Sequence, residues 1–101
     1  MRPIAHAVAR ALHALGVDRD VARVEAIRVW PEVAASVLGR DAELTRAVRA
    51  DEGTLVITVP TAQWAGEIRL RERELLAALR ERAPASAITR LRPTPAATPR
   101  T

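Results

Sequence analysis

"LTRAVRADEGTLVITVP", Leu44–Pro60, decides the fold of this chain. Leu44, Arg46 and Val48 alternate with Thr45, Ala47 and Arg49, and beyond a break Leu55, Ile57 and Val59 alternate with threonines and Val56. A period of two on both sides of Asp51-Glu52-Gly53 predicts an antiparallel hairpin. Gly53 supplies the positive φ that a three-residue loop needs.

The hairpin runs into "TAQWAGEIRLRERELLAALRERA", Thr61–Ala83. Thr61 is placed to cap a helix whose one side collects Trp64, Ala65, Ile68, Leu75, Leu76, Leu79 and Ala83. Trp64, in phase with the leucines, reads as a core residue that covers the sheet rather than a stacking platform. Glu67, Glu74 and Glu81 recur on one flank, and Arg69, Arg73 and Arg80 share the other. Glu67 and Arg71 form a well-oriented i,i+4 pair. Arg69 and Arg73 are like charges four apart, which repel unless an anion lies over them.

Working outward, Ile4, Val8, Ala11, Leu12 and Leu15 lie on one stripe of a first helix that stops at Gly16, with His6, Arg10 and His13 opposite. A second helix starts at Asp18 or Asp20. Val17, Val21 and Val24 point one way; Ala26, Ile27, Trp30, Val33, Ala34, Val37 and Leu38 point about a third of a turn away. Pro31 sits at the phase change and predicts a kink there, or a new helix, before Gly39 ends the segment. "AITRLR" predicts a last short strand, and "PTPAATPRT" a proline-rich tail without packing signal. The expectation is an α+β domain over residues 1–92 in the order α-α-β-β-α-β. It has a three-stranded mixed sheet with helices on one face and a disordered tail over 93–101.

All sixteen basic residues are arginine, and the formal charge is +4. Arginine's planar fork suits phosphate, although the bias also reflects what a GC-rich genome encodes. No cysteine is present, so disulfides and thiolate metal sites are excluded and a reducing cytoplasm is the expected home. No apolar run approaches a membrane span. His6 and His13 are seven apart, too far for a paired metal arrangement on one helix. Ser36 and Ser86 lack a glycine-rich elbow, and the four glycines form no phosphate-cradling loop. The chain therefore reads as a binding protein without catalytic residues, cofactor or metal. With no Phe or Tyr, the sheet lacks the aromatic surface of many single-strand binders, so nucleic acid would be held through its backbone. The candidate phosphate-binding residues are Arg46, Arg49, Arg69, Arg73, Arg80, Arg90 and Arg92. They form one surface only if the strands bring them beside the helix.

From Trp30 onward the landmarks resemble the DciA family, bacterial loaders or operators of the replicative helicase. The residues that carry the resemblance are "VWPEVAASVLG", "LTRAV", "EGTLVITVPTAQWAGEI", "ELLAAL" and "ITRLR", spanning Val29–Arg92. The ordered spacing of tryptophan, hairpin and second tryptophan is its most specific part. The resemblance implies a KH-like fold, DNA binding and contact with a DnaB-type helicase, and hence a DNA-binding adaptor of replication initiation. It transfers no catalytic residue and no helicase contact to particular positions. Members often carry a long, basic, flexible segment beside the folded domain. About nine residues follow the last expected strand here, by the proline punctuation; if loading relies on that segment, binding without loading is the expectation. Two other readings stay open: a stand-alone KH-like DNA- or RNA-binding protein, and a self-associating module, a homodimer built on the sorted Arg and Glu flanks.

Overall fold

The computed structural model describes residues 18–96. The expected first helix, with His6 and His13, lies outside the described residues, as do residues 97–101 of the tail. The described elements are α1 (Asp18–Leu38), a 3-10 segment (Gly39–Leu44), β1 (Arg46–Asp51), β2 (Thr54–Val59), α2 (Ala62–Leu70), α3 (Glu72–Arg82), a short 3-10 turn (Pro84–Ser86) and β3 (Arg90–Pro95). The sheet order is β1-β2-β3; β1 and β2 are antiparallel, β2 and β3 parallel. This is the expected α+β arrangement with a three-stranded mixed sheet.

The alternation of β2 sets the layers. Leu55, Ile57 and Val59 are at most 1% exposed and meet Ala47, Ala50 and Leu91 from the flanking strands in one core. Ala26, Trp30, Val33 and Ala34 of α1, Ile68 of α2, and Leu75 and Leu79 of α3 complete it. Trp30 is 1% exposed, and its indole Nε1–H donates to Thr45 Oγ1 at 2.9 Å. The Thr45 hydroxyl in turn donates to the Ala42 carbonyl at 2.8 Å. The threonine thus makes burial of the indole N–H tolerable, since an unpaired buried donor costs about 1–3 kcal/mol.

Several local expectations are corrected. Of the two outcomes expected at Pro31, a new helix is excluded, since α1 runs through it as one helix. A proline inside a helix costs about 3 kcal/mol. Burying an indole of about 150–250 Å² stabilises by about 4–6 kcal/mol, so the face carrying Trp30 outweighs the lost hydrogen bond. Val21 and Val24, out of phase with that face, are 60% and 61% exposed. Asp20 lies within the first turn of α1, 3.7 Å from Arg23. The hairpin loop is two residues long, because Asp51 pairs with Thr54. Glu52 and Gly53 both take positive φ, 46° and 82°, as a tight two-residue hairpin demands.

A bulge between Ala47 and Arg49 shifts the register of β1. Strict alternation put Arg49 with Ala47; the extra residue instead turns Arg49 outward and Ala50 inward, where Ala50 is 8% exposed. The helix expected to run unbroken from Thr61 divides at Arg71 (φ −107°, ψ 14°). The Arg71 N–H is shared between the carbonyls of Glu67 (3.2 Å) and Ile68 (3.1 Å), which tightens the turn. Thr61 caps α2 as expected, its hydroxyl accepting from the Trp64 N–H at 3.2 Å.

β3 continues through Pro95, three residues beyond Arg92 and into the stretch expected to be unpacked. The hydrogen bonds explain how prolines fit there. Arg90 N–H and Ala96 N–H donate inward to β2 carbonyls or the turn before it, at Gly53 (3.1 Å) and Val59 (2.8 Å). Leu91 N–H points the other way, to Glu72 Oε2 at 2.8 Å. Pro93 and Pro95 share the parity of Leu91, so their missing N–H groups face the outer edge and remove no bond of the ladder.

Trp30→Ala is expected to lose about 3–5 kcal/mol of stability. Thr45→Val, which orphans the indole N–H, should lose about 1–3 kcal/mol. Chemical-denaturation midpoints check both, and an unchanged midpoint for Trp30→Ala would contradict the packing described. Glu72→Ala should accelerate amide exchange at Leu91, whereas Glu72→Gln, whose amide oxygen still accepts, should protect it like the parent.

Candidate nucleic-acid interface

Because one face of β2 is buried, Thr54, Val56 and Thr58 must look out of the other. The registers then place side chains from both neighbours around them. Thr58 stands opposite Arg46, and Val56 stands opposite Arg49 on one side and Arg92 on the other. Thr54 is opposite Arg90. The open face of the sheet is therefore a threonine-valine strip between two pairs of arginines.

The crossover from β2 to β3 adds a helix to one margin. α2 packs beside β3, and Glu72, at the start of α3, bonds the outer edge of that strand. Arg69 consequently joins the sheet arginines. Arg49, Arg69, Arg90 and Arg92 line one open groove of about 650 Å³. Thr54 and Val56 line the same groove, together with three carboxylates, Asp51, Glu52 and Glu72. A shallower depression, lined by Val48, Arg49, Val56, Arg92 and Thr94, continues along the same face.

The seven candidate arginines thus fall into three groups. Arg49, Arg69, Arg90 and Arg92 share the groove. Arg46 is exposed on the same sheet face but is not part of the groove's lining. Arg73 and Arg80 are exposed on α3 and do not line it either, so the arginine flank of the helix is split. The split falls at the boundary between the helices, Arg69 lying on α2 and Arg73 and Arg80 on α3.

Among the described residues, none of the seven has an acidic partner within ion-pair distance. The arginines that do are others: Arg23 with Asp20, Arg28 with Glu25 at 2.9 Å, Arg71 with Glu67 at 3.9 Å and Arg82 with Glu32 at 3.5 Å. Exposed pairs of this kind contribute little to stability. What matters is the contrast. Arg71, read in the sequence as locally explained by Glu67, is so paired, while the groove arginines keep their guanidinium forks open for an anion.

The carboxylates of the groove were not singled out by sequence reasoning. Asp51 and Glu52 read only as turn residues. Glu72, near the edge of the core stripe, accepts from the Leu91 N–H, which gives it a structural task. No local signal announces that bond, because the two residues are 19 apart in the chain. Trp64 is half-buried against the core, as expected of a fold landmark, and leaves the open face without an aromatic ring. Among the described residues no cluster of His, Asp and Glu is suited to hold a metal ion, and no helix is long and apolar enough to cross a membrane.

No curated protein is matched. The family model described as "Dna[CI] antecedent, DciA" matches residues 3–92, which takes in every element described above except the last three residues of β3. The chain therefore belongs to the DciA family, which is associated with loading of the DnaB helicase in replication.

Proposed function

We propose that this chain binds DNA through its phosphate backbone, using the arginine groove on the open face of the sheet. In the same reading it engages the DnaB-type replicative helicase through another face and assists helicase placement at replication initiation. It does so by binding, without catalysing a reaction, in the cytoplasm.

One observation carries the DNA half. Four arginines from β1, α2 and β3 converge on one groove, and none of them is paired with a carboxylate among the described residues. The arginines outnumber the three carboxylates that line the groove with them, so the site keeps a positive balance that favours a polyanion. The Thr54 hydroxyl, in the same groove, adds a donor suited to phosphate oxygens. With no aromatic ring on the face, bases have no stacking platform, so binding should rest on the phosphate backbone and depend strongly on salt. Family membership supports the helicase half.

Labelled oligonucleotides titrated at several salt concentrations test the DNA half. Arg69→Glu combined with Arg92→Glu should weaken binding strongly at low salt. The log–log salt slope should fall by about 0.7 per lost contact on a single strand, or about 0.9 on a duplex. Arg73→Glu combined with Arg80→Glu should change both far less. Equal losses in the two double variants would show that the groove is not the site.

The helicase half is tested by size-exclusion chromatography with light scattering, mixing the chain with the replicative helicase hexamer of its own organism. Co-elution that survives the groove substitutions is expected. Absence of a complex at low salt would leave a nucleic-acid-binding protein with some other partner.

A further inference from the structure

The open face is graded in charge along its length. At the hairpin end the arginine groove includes Asp51 and Glu52, and toward Thr94 the continuing depression has no carboxylate in its lining. The acidic end is fixed in place by the backbone. The Gly53 carbonyl accepts from the N–H groups of Thr89 (2.8 Å) and Arg90 (3.1 Å), which clamps the turn against the start of β3. A Cβ at Gly53 would stand 3.4 Å from Thr89 Oγ1, so the turn lies close against that strand. Asp51 and Glu52 thus stay beside the groove without forming an ion pair to Arg90 among the described residues. Glu72 differs, because its carboxylate is engaged by the Leu91 N–H.

Glu52 is also a poor local choice. Its φ of 46° lies in the left-handed region, where Gly, Asn and Asp are the ordinary residues and glutamate is not. The conformation of the turn therefore does not itself favour glutamate at this position.

We propose that Asp51 and Glu52 act as an acidic stop at the hairpin end of the groove, weakening its grip on a nucleic-acid strand and setting where that strand's path ends. This rests on the reading of the groove as a phosphate-binding site. A strand lying along Arg49 and Arg92 meets repulsion as it approaches the turn, so the complex stays releasable.

The test separates charge from conformation. Glu52→Asn and the double variant Asp51→Asn/Glu52→Asn remove charge, and asparagine also suits the positive φ. Glu52→Asp eases the backbone but keeps the charge. Anisotropy with a labelled oligonucleotide at low salt should show the neutral variants binding about three- to tenfold more tightly, an advantage that salt well above 0.1 M screens away. Glu52→Asp should bind like the parent, and thermal unfolding should show no loss of stability in either single variant. If the parent binds and the neutral variants bind no more tightly, the acidic stop is wrong while the groove reading stands. A gain in Glu52→Asp equal to that in Glu52→Asn would assign the effect to turn conformation and overturn the proposal. Loss of helicase co-elution in the neutral variants, without tighter oligonucleotide binding, would make the two acids a protein contact instead. Absence of oligonucleotide binding by parent and variants alike would remove the groove reading and the stop together.

Discussion

Leu55, Ile57 and Val59 bury one side of the central strand completely, and the outer face is shaped by that burial. In a strand the side chains alternate, so burying one set obliges Thr54, Val56 and Thr58 to form the floor of the other face. Neighbouring strands pair with this one residue by residue. Their outward positions are then fixed too, and those positions hold arginine on both sides. The basic groove is in this sense a by-product of packing the core. No loop has to be held in place to make it. The guanidinium groups stand on strands and on the end of a packed helix, the kind of support that keeps a binding surface preorganised.

Two devices turn this sheet into a site open on one side. The bulge at the middle of β1 brings Arg49 to the outer face; without the extra residue it would be driven into the core beside Ala47. The prolines of β3 and the carboxylate of Glu72 close the far edge, the first by removing donors and the second by occupying one. The outer face of the sheet consequently offers a polyanion arginine side chains and threonine hydroxyls, while the β3 edge offers another chain few free strand donors. Membership of the DciA family gives this surface a setting in helicase loading.

Much of the fold was legible because it depends on local chemistry. The hairpin follows from alternation around Gly53, the cap from Thr61, and the burial of Trp30 from its phase with Val33 and Ala34. The departures occur where a distant contact outweighs a local preference. Pro31 allowed a new helix to begin there, and packing of the Trp30 face of α1 against the core keeps the helix continuous. Pro93 and Pro95 argue against a strand, and only the parity set by Leu91 and Ala96 makes them harmless. The break at Arg71 leaves the amphipathic stripe intact, so periodicity alone has no means of finding it. Among the candidate arginines the residue types were visible, but their grouping was not. Arg69 lies near Arg49 and Arg92 because β3 runs parallel to β2 and α2 packs along it, a matter of topology rather than spacing. Arg73, four residues after Arg69 in sequence, lies on α3 and falls outside the groove.

The most direct test of the central claim is a titration of isotope-labelled protein with an unstructured oligonucleotide, followed through backbone amide and arginine Nε–Hε resonances. The expected result is a set of shifts concentrated at Arg49, Arg69, Arg90 and Arg92 and along Thr54–Thr58, with Arg73 and Arg80 nearly still. Shifts centred on Arg73 and Arg80, with the sheet resonances unmoved, would contradict it and place the interface on the outer surface of α3.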